Sequence, residues 1–207
     1  MFLSGEERST VAPQALNNTG IFLLHMAQKD YKLEIVLDLL KWSSHLRGMA
    51  SHLSINHMMI ARRIKELIKE NVVDFRAEGK NKVFFLKKTI EAKNYVFSAE
   101  SYALNRLLGK YPALRQIVEN IQADHRIKLA VLFGSYAKGT ATEESDIDIY
   151  IDTNDHKIKE CLSLLNSKLS VKIGKYNKSS LLIKEIEKNK VIIKGMEVYY
   201  EKNNFFS

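Results

Sequence analysis

Two aspartates, Asp146 and Asp148, stand two residues apart in a short segment that alternates polar and apolar residues. Side chains two apart on a β-strand share a face, so both carboxylates would project together while Ile147 points into the core. Carboxylates held this close repel each other, and a shared cation relieves the repulsion. Hard oxygen ligands suit Mg2+, which also binds phosphate oxygens. We therefore interpret Asp146 and Asp148 as candidate catalytic and metal-binding residues for one or two Mg2+ ions carrying a nucleoside triphosphate.

A glycine and a serine, Gly134 and Ser135, follow the apolar run Leu129 to Phe133 and precede a short predicted helix. Glycine allows the backbone to approach a ligand closely. The N-terminus of the helix offers free N–H groups to a phosphate, and the serine hydroxyl adds a hydrogen bond. Lys138, expected on the first turn of the helix, would neutralise phosphate charge. The candidate nucleotide-binding residues are Gly134, Ser135, Lys138 and Ser145.

The whole string, Gly134 to Gly139 followed by Ser145 to Asp148, resembles the signature of the DNA polymerase beta-type nucleotidyltransferase superfamily. It looks most like the minimal nucleotidyltransferases, and the resemblance covers roughly residues 129–200. The resemblance implies transfer of a nucleoside monophosphate from an NTP, with ATP the first choice, to a hydroxyl of a protein, RNA or small molecule. It also implies two-metal stabilisation of the in-line displacement. Some minimal nucleotidyltransferases act as antitoxins that adenylylate a partner toxin, so the resemblance includes that role.

One departure from the family pattern concerns the third carboxylate, which the family places on the next strand, usually as the general base. That strand, predicted over 169–176, contains no Asp or Glu, and Lys172 or Gly174 falls about where the acid belongs. Asp152 shares a strand face with the aspartate pair but lies at the far end. Either a partner supplies the base, or the domain binds nucleotide without turnover. If the domain binds nucleotide without turnover, the protein is a DNA-binding transcriptional regulator. Its nucleotidyltransferase-like domain is then catalytically degenerate and senses nucleotide or dimerises.

The elements before this site predict a winged helix-turn-helix domain. Apolar residues at helical spacing predict helices, and period-two patterns predict strands around a turn-rich segment. The predicted order is helix 31–41, helix 46–53, helix 57–70, strand 72–76, turn 77–81 and strand 82–86. Asn56 is the expected N-cap of the third helix. This region also resembles winged-helix regulators, and the N-terminal half of proteins, many of them archaeal, that join such a domain to a minimal nucleotidyltransferase.

The winged-helix region is strongly basic. Residues 42–90 contain ten Lys and Arg and four Asp and Glu, which accounts for most of the net charge of +8. Such an excess on a third helix and a wing is typical of a protein that binds duplex DNA. The candidate DNA-contacting residues are Asn56, His57, Met59, Arg62 and Arg63 for the major groove, and Lys80 and Lys82 on the wing. The alternative is a winged helix used for protein contacts or dimerisation.

The remaining elements complete an α+β fold of two domains, the second a small α/β nucleotidyltransferase domain with a mixed sheet. The region 92–122 reads as helix, broken at 109–112. Further helices are predicted near Tyr136 and over 157–167 and 179–188, and strands over 129–133, 146–152, 169–176 and 196–200. We divide the chain into a loose leader (1–28), the winged helix (29–90), a helical linker (91–123) and the nucleotidyltransferase-like domain (124–207). The apolar helices of the linker are candidates for a homodimer interface.

Other features exclude several classes of function. The single cysteine, Cys161, rules out an internal disulfide or a cysteine zinc site. The apolar run Ile21 to Leu24 is too short to span a membrane, and no basic segment of a signal peptide precedes it. We therefore expect a cytoplasmic protein without a membrane partner. Met26 is an alternative start to Met1.

Overall fold

The computed structural model describes residues 29–206, so the predicted leader and the alternative start at Met26 lie outside the described residues. The helices are α1 (Tyr31–Lys41), α2 (Leu46–Leu53), α3 (His57–Lys69), α4 (Ile90–Lys110), α5 (Arg115–Ala123), α6 (Gly134–Lys138), α7 (His156–Ser163), α8 (Leu181–Lys188) and α9 (Met196–Lys202). The strands are β1 (Val73–Glu78), β2 (Asn81–Leu86), β3 (Ala130–Phe133), β4 (Ile147–Asp152), β5 (Leu169–Gly174) and β6 (Val191–Lys194). In this part of the chain no helix is both long and apolar enough to cross a membrane.

Helices α1 to α3 and the β1–β2 hairpin form the predicted winged helix-turn-helix. Asn56 caps α3 as expected, its side-chain oxygen accepting a hydrogen bond from the backbone N–H of Met58 at 2.8 Å. The antiparallel hairpin pairs Val73 with Leu86. A bridge between Ser44 and Phe84 adds a short third strand segment to it. The element order and this bridge confirm the winged-helix prediction.

Helix α4 joins the two halves of the molecule. Its N-terminus is capped by the Thr89 hydroxyl, which accepts a hydrogen bond from the backbone N–H of Ala92. The predicted break falls at Tyr111, and a 3-10 turn (Pro112–Leu114) leads into α5. The buried α4 residues Ala92, Val96 and Ala99 belong to one apolar cluster with residues of the winged helix and of the β-sheet. The core is therefore continuous across the two halves.

The four-stranded sheet has the order β5-β4-β3-β6. Strand β4 pairs parallel with β5 and antiparallel with β3, so the sheet is mixed, as predicted. Ile147, Ile149 and Ile151 pack in a cluster with residues of α5 and α7 on one face. On the other face, residues such as Val131 and Tyr150 join the cluster shared with the winged helix. Both faces of the sheet are thus covered.

The predicted last strand over 196–200 is wrong, since these residues form α9 and the edge strand β6 lies just before them. Gly195 separates the two, with a φ of 80°, and a Cβ built on it would lie 2.0 Å from the Lys128 carbonyl oxygen. Only glycine fits so close an approach in a left-handed conformation. The adjacent Tyr199 and Tyr200 are both buried, which an alternating strand pattern does not allow for a half-buried segment.

Other predicted boundaries differ by a few residues. Helix α7 ends at Ser163 rather than 167, and β5 ends at Gly174 rather than 176. Helix α6 begins at Gly134, earlier than the predicted start near Tyr136. The last difference changes the position of Lys138 in the candidate site.

Candidate active site

The turn from β3 into α6 lies directly against the β4 carboxylate. The antiparallel register pairs Phe133, the last residue of β3, with Asp148. Gly134 follows with a φ of 71°, and a Cβ built on it would lie 2.4 Å from Asp148 Oδ2. Both the left-handed conformation and the close approach require glycine. A phosphate bound at this turn would therefore lie next to any cation that Asp148 holds.

The two aspartates share the face that the alternation predicted. Ile147 between them is buried in the cluster on the opposite face of the sheet, whereas Asp146 is exposed and Asp148 half-buried. The strand begins at Ile147, so Asp146 stands immediately before it. Within residues 29–206, neither carboxylate makes a hydrogen bond or ion pair. Both are free to accept a cation.

The donor set at this position fits Mg2+. The ion takes one or two protein carboxylates and completes its octahedral shell with water and substrate phosphates. Residues 29–206 contain no group of three His, Cys, Asp or Glu side chains placed to hold a metal ion. The remaining ligands of an ion on Asp146 and Asp148 would thus be phosphate and water oxygens.

The other candidate nucleotide-binding residues are placed differently from one another. Ser135 is half-buried on the first turn of α6, next to Gly134. Ser145 Oγ accepts a hydrogen bond from the backbone N–H of Thr142 at 2.9 Å and so fixes the loop before Asp146.

Lys138 is not on the first turn of its helix, contrary to the prediction. Because α6 begins at Gly134, Lys138 is its last residue, about 6 Å further along the axis at 1.5 Å per residue. Its Nζ lies 3.9 Å from Glu185 Oε1 on α8. The structure therefore brings together Gly134, Ser135, Asp146 and Asp148, and places Lys138 at the other end of α6.

On β5, the strand next to the aspartates, a serine lies at the position where the family pattern predicts an acid. The parallel register pairs Ser170 with Asp148. Lys172 and Gly174 pair with residues two and four positions further along β4. The position level with the aspartate pair is therefore Ser170, not Lys172 or Gly174. The pattern of a single strand does not reveal its register against a neighbour, which is why the sequence analysis did not single out Ser170.

Asp152, the other carboxylate on this face of β4, is engaged in structure. Its Oδ1 accepts a hydrogen bond from the backbone N–H of Tyr176 at 2.9 Å. Its Oδ2 lies 2.9 Å from Lys202 Nζ. The buried Tyr150 separates it from Asp148 on the same face. Asp152 therefore fixes the end of the sheet and does not replace the missing acid.

Comparison with known proteins bears on this site. The family model described as "Polymerase beta, Nucleotidyltransferase" matches residues 115–199, which include the glycine turn and both aspartates. Two proteins of Methanocaldococcus jannaschii, "Putative protein adenylyltransferase MJ1215" and "MJ0128", are 33% and 34% identical to the chain over 72 and 88 residues. The matches span 33% and 41% of this chain and 84% of each relative. The chain belongs to the polymerase beta nucleotidyltransferase family.

A further relative shares more identity over a shorter stretch. "Putative protein adenylyltransferase MJ0604" of the same archaeon is 47% identical over 63 residues. This match spans 28% of the present chain and 63% of the relative. Among solved structures, the transcriptional repressor BigR from Xylella fastidiosa aligns with 47% of the chain and 88% of its own, at 16% identity and a TM-score of 0.31. The assignment of the winged helix rests on the element order of residues 31–86.

Within the winged helix of this family member, the two arginines predicted to contact DNA differ in their surroundings. Arg62 is exposed, at 73% of its side-chain surface, and its Nε lies 3.3 Å from Glu66 Oε1. Arg63 is 31% exposed, and its Nη1 donates to both oxygens of Glu66 at 3.2 and 2.8 Å. Arg63 lowers the pKa of the Glu66 carboxyl below its usual value. The Arg63 guanidinium is thus turned along the helix, and Arg62 is the more available of the two.

The exposed face of α3 includes residues that were not predicted from the sequence to contact DNA. His57 is exposed, whereas Met59 is half-buried and the side chain of Asn56 is used as the cap. The helical period places further exposed residues beside Arg62. These are Met58, Lys65 and Lys69. Helical spacing from Arg62 was the signal that would have identified the two lysines.

The wing places both predicted lysines in solvent. Lys80 lies in the turn after Gly79, at the tip of the hairpin. Lys82 is exposed, and its Nζ lies 4.0 Å from the centre of the Phe75 ring. This cation–π contact holds one positive charge at the base of the tip.

Proposed function

We propose that this protein is a Mg2+-dependent nucleotidyltransferase that transfers a nucleoside monophosphate from ATP to a hydroxyl group of a protein, with pyrophosphate as the leaving group. The observation that carries the proposal is the contact between the Gly134 turn and the carboxylate of Asp148, beside Asp146 on the same face. Through that contact, the turn that we propose binds phosphate lies next to the carboxylates that we propose bind the cation. The relatives bear the name "Putative protein adenylyltransferase", which supports ATP as the donor and a protein as the acceptor.

In this proposal each residue has a separate task. The backbone of Gly134 and the hydroxyl of Ser135 bind the triphosphate, and Ser145 fixes the loop that presents Asp146. Asp146 and Asp148 hold the metal. Bound Mg2+ would supply charge stabilisation to the attacking and leaving oxygens of an in-line displacement. The chain's own contribution is position, because the turn and the strand fix phosphate and carboxylates relative to each other.

Among residues 29–206, this site contains no protein base for the proton of the acceptor hydroxyl. Strand β5 offers Ser170 at the level of Asp148, and Asp152 is held by Lys202. We propose that the proton passes to water or to a group of the acceptor protein. The rate of such a reaction depends more strongly on the acceptor than the rate of a reaction in which the enzyme supplies the base. This dependence suits an enzyme with one dedicated partner, such as an antitoxin that modifies its toxin.

The test is transfer of radiolabel from α-labelled ATP to proteins of a cell extract in the presence of Mg2+. Asp146→Asn and Asp148→Asn are each expected to lower labelling at least a hundredfold, and EDTA is expected to abolish it. Glu160→Gln, an exposed carboxylate on α7, is the matched control and should label as the parent does. Labelling that survives both aspartate substitutions would disprove the proposal.

A second candidate function is a DNA-binding regulator whose C-terminal domain senses nucleotide or dimerises without turnover. The observation in its favour is the absence of an acid at the level of Asp148 on β5. In both proposals residues 29–90 bind duplex DNA, residues 91–123 link the halves and residues 124–207 bind nucleotide. The regulator would pair DNA half-sites as a homodimer through the linker helices. Nucleotide-dependent DNA affinity without any labelled acceptor would favour this candidate over the enzyme.

A further inference from the structure

A cavity of about 970 Å3 lies where the winged helix meets the nucleotidyltransferase half. Its walls come from the end of α1, from the C-terminal half of α4, from α6, from the turn between α8 and β6, and from α9. Tyr136, Ala137 and Lys138 of α6 line it, whereas Gly134 and Ser135 do not. The cavity therefore uses the middle and the C-terminal end of α6, and not the turn at Gly134 that meets Asp148.

The walls of this cavity carry an excess of positive charge. Among residues 29–206, six basic side chains line it: Lys41, Arg106, Lys110, Lys138, Lys188 and Lys190. In the same part of the chain only two acidic side chains do so, Glu100 and Glu187. These cations come from several separate elements, and the positive excess that remains after Arg106 pairs with Glu34 and Lys190 pairs with Glu187 favours an anionic ligand.

The two acids on the walls are already engaged. Glu100 is 5% exposed and accepts a hydrogen bond from the Tyr200 hydroxyl at 2.5 Å. Burial raises the pKa of the Glu100 carboxyl, which favours its neutral form. Glu187 accepts a hydrogen bond from the Tyr199 hydroxyl at 2.5 Å and pairs with Lys190 at 3.0 Å. Neither acid offers a free negative charge that would repel an anion.

The four cations other than Arg106 and Lys190 are held in ways that an anion can use. Lys110 Nζ donates to the carbonyl oxygen of Gly139 at 2.6 Å, a neutral acceptor that leaves its charge uncompensated. Lys138 and Lys188 share one carboxylate, Glu185, at 3.9 and 2.7 Å. Both ion pairs lie at the surface, where such pairs contribute little and exchange partners readily.

Aromatic side chains supply the other part of the cavity wall. The rings of Tyr111 and Tyr136 pack edge to face with centroids 4.8 Å apart. The Tyr111 hydroxyl is buried and has no hydrogen-bond partner among residues 29–206. Trp42, also on the wall, is 53% exposed and packs edge to face with His52, with ring centroids 5.4 Å apart.

Several lysines together with several aromatic rings in one cavity suit a ligand that combines phosphates with a flat ring. A volume near the upper end of ordinary ligand pockets accommodates such a molecule. We propose that this cavity binds a nucleotide at a site separate from Asp146 and Asp148, without the need for a metal ion. A nucleotide bound here touches α1 of the winged helix and α6 of the transferase signature at once. The inference goes beyond the proposed function, because it requires no turnover.

The test uses calorimetry in EDTA to measure the binding of ATP to the full-length Asp146→Asn, Asp148→Asn double variant. In this variant the proposed metal-binding carboxylates make no contribution. We expect saturable binding of one ATP per chain. Replacing both Lys41 and Lys188 by Gln should weaken this binding at least tenfold. Lys184→Gln, on the same helix as Lys188 but outside the cavity, is the matched control and should change it less than twofold.

Two further ligands identify what the cavity recognises. Tripolyphosphate should bind at least tenfold more weakly than ATP, and adenosine more weakly still, because each has only one of the two recognised parts. Equal binding of tripolyphosphate and ATP would overturn the assignment to a nucleotide. Absence of ATP binding in EDTA, or binding that ignores the Lys41 and Lys188 substitutions, would overturn the site itself. Neither result bears on transfer of label by the unsubstituted protein, so the two proposals fail separately.

Discussion

Gly134 and Asp148 lie so close that a single methyl group on the glycine would stand 2.4 Å from the aspartate Oδ2. The contact arises because β3 pairs with β4 and then turns at once into α6. The conformation of the glycine and the position of the carboxylate are therefore coupled. The pair defines the candidate site more narrowly than the motif alone, which gives only the residue types and their spacing.

Gly134→Ala is expected to abolish Mg2+-dependent transfer of label, with a loss of at least a hundredfold. The added Cβ must either displace the Asp148 carboxylate or shift the turn, and misplacement by about 1 Å costs on the order of a hundredfold in rate. Stability should fall as well, by about 1 kcal/mol or more, since alanine disfavours a positive φ. Transfer assays and chemical denaturation measure the two effects separately.

Gly79→Ala is the matched control for that substitution. Gly79 has a φ of 61°, but no atom of residues 29–206 lies within 4 Å of its built Cβ, so it shares the conformational cost without the collision. We expect a similar loss of stability and unchanged transfer. If both variants lost transfer equally, the contact with Asp148 would have no special role.

Ser170→Asp is expected to raise the rate of transfer. The register places residue 170 level with Asp148 on the neighbouring strand, so a carboxylate there stands beside the metal mount. A positioned general base contributes typically a hundredfold or more, and an unoptimised one should give about tenfold. Lys172→Asp, two residues further along β5, is the comparison and should give less. A rate unchanged or lowered by Ser170→Asp would mean that the site does not lack a base at this position.

The sequence allows the local part of this site to be predicted but not its assembly. The alternation around Ile147 correctly placed Asp146 and Asp148 on one face, because strand periodicity is a property of neighbouring residues. The contact of Gly134 with Asp148 and the position of Ser170 depend on pairing between strands, which no single segment encodes.

The wrong strand prediction for residues 196–200 has a related cause. The segment 196–200 alternates like a strand, but the turn at Gly195 and the burial of Tyr199 and Tyr200 decide for a helix. The cavity shows the limit most clearly, since Lys41 and Lys188 meet on its walls from opposite ends of the described chain. Only tertiary packing brings such residues together, so composition indicates a basic protein but not where its charge converges.

Arg62→Ala, Lys65→Ala and Lys69→Ala are each expected to weaken DNA binding and to reduce the salt dependence by about one counterion. All three residues are exposed on the same stripe of α3. Arg63→Ala should affect DNA binding less, because its guanidinium is held by both oxygens of Glu66. Fluorescence anisotropy with duplex DNA at several salt concentrations measures both quantities. An Arg63 effect larger than the Arg62 effect would contradict this assignment of the DNA-facing side.

The buried carboxyl of Glu100 should make the free energy of unfolding depend on pH. Burial raises its pKa in the folded state, so the native protein binds more protons than the unfolded chain above the ordinary pKa of a glutamate. The free energy of unfolding should therefore fall as pH rises from about 4 through the folded pKa. Glu100→Gln removes this contribution and retains an acceptor for the Tyr200 hydroxyl. We expect the variant to match or exceed the parent in stability at pH 8 and to lose that advantage near pH 4, as measured by urea denaturation. Glu160→Gln, at an exposed site, should leave the pH profile unchanged, whereas a Glu100→Gln profile parallel to that of the parent would show that the buried carboxyl titrates normally.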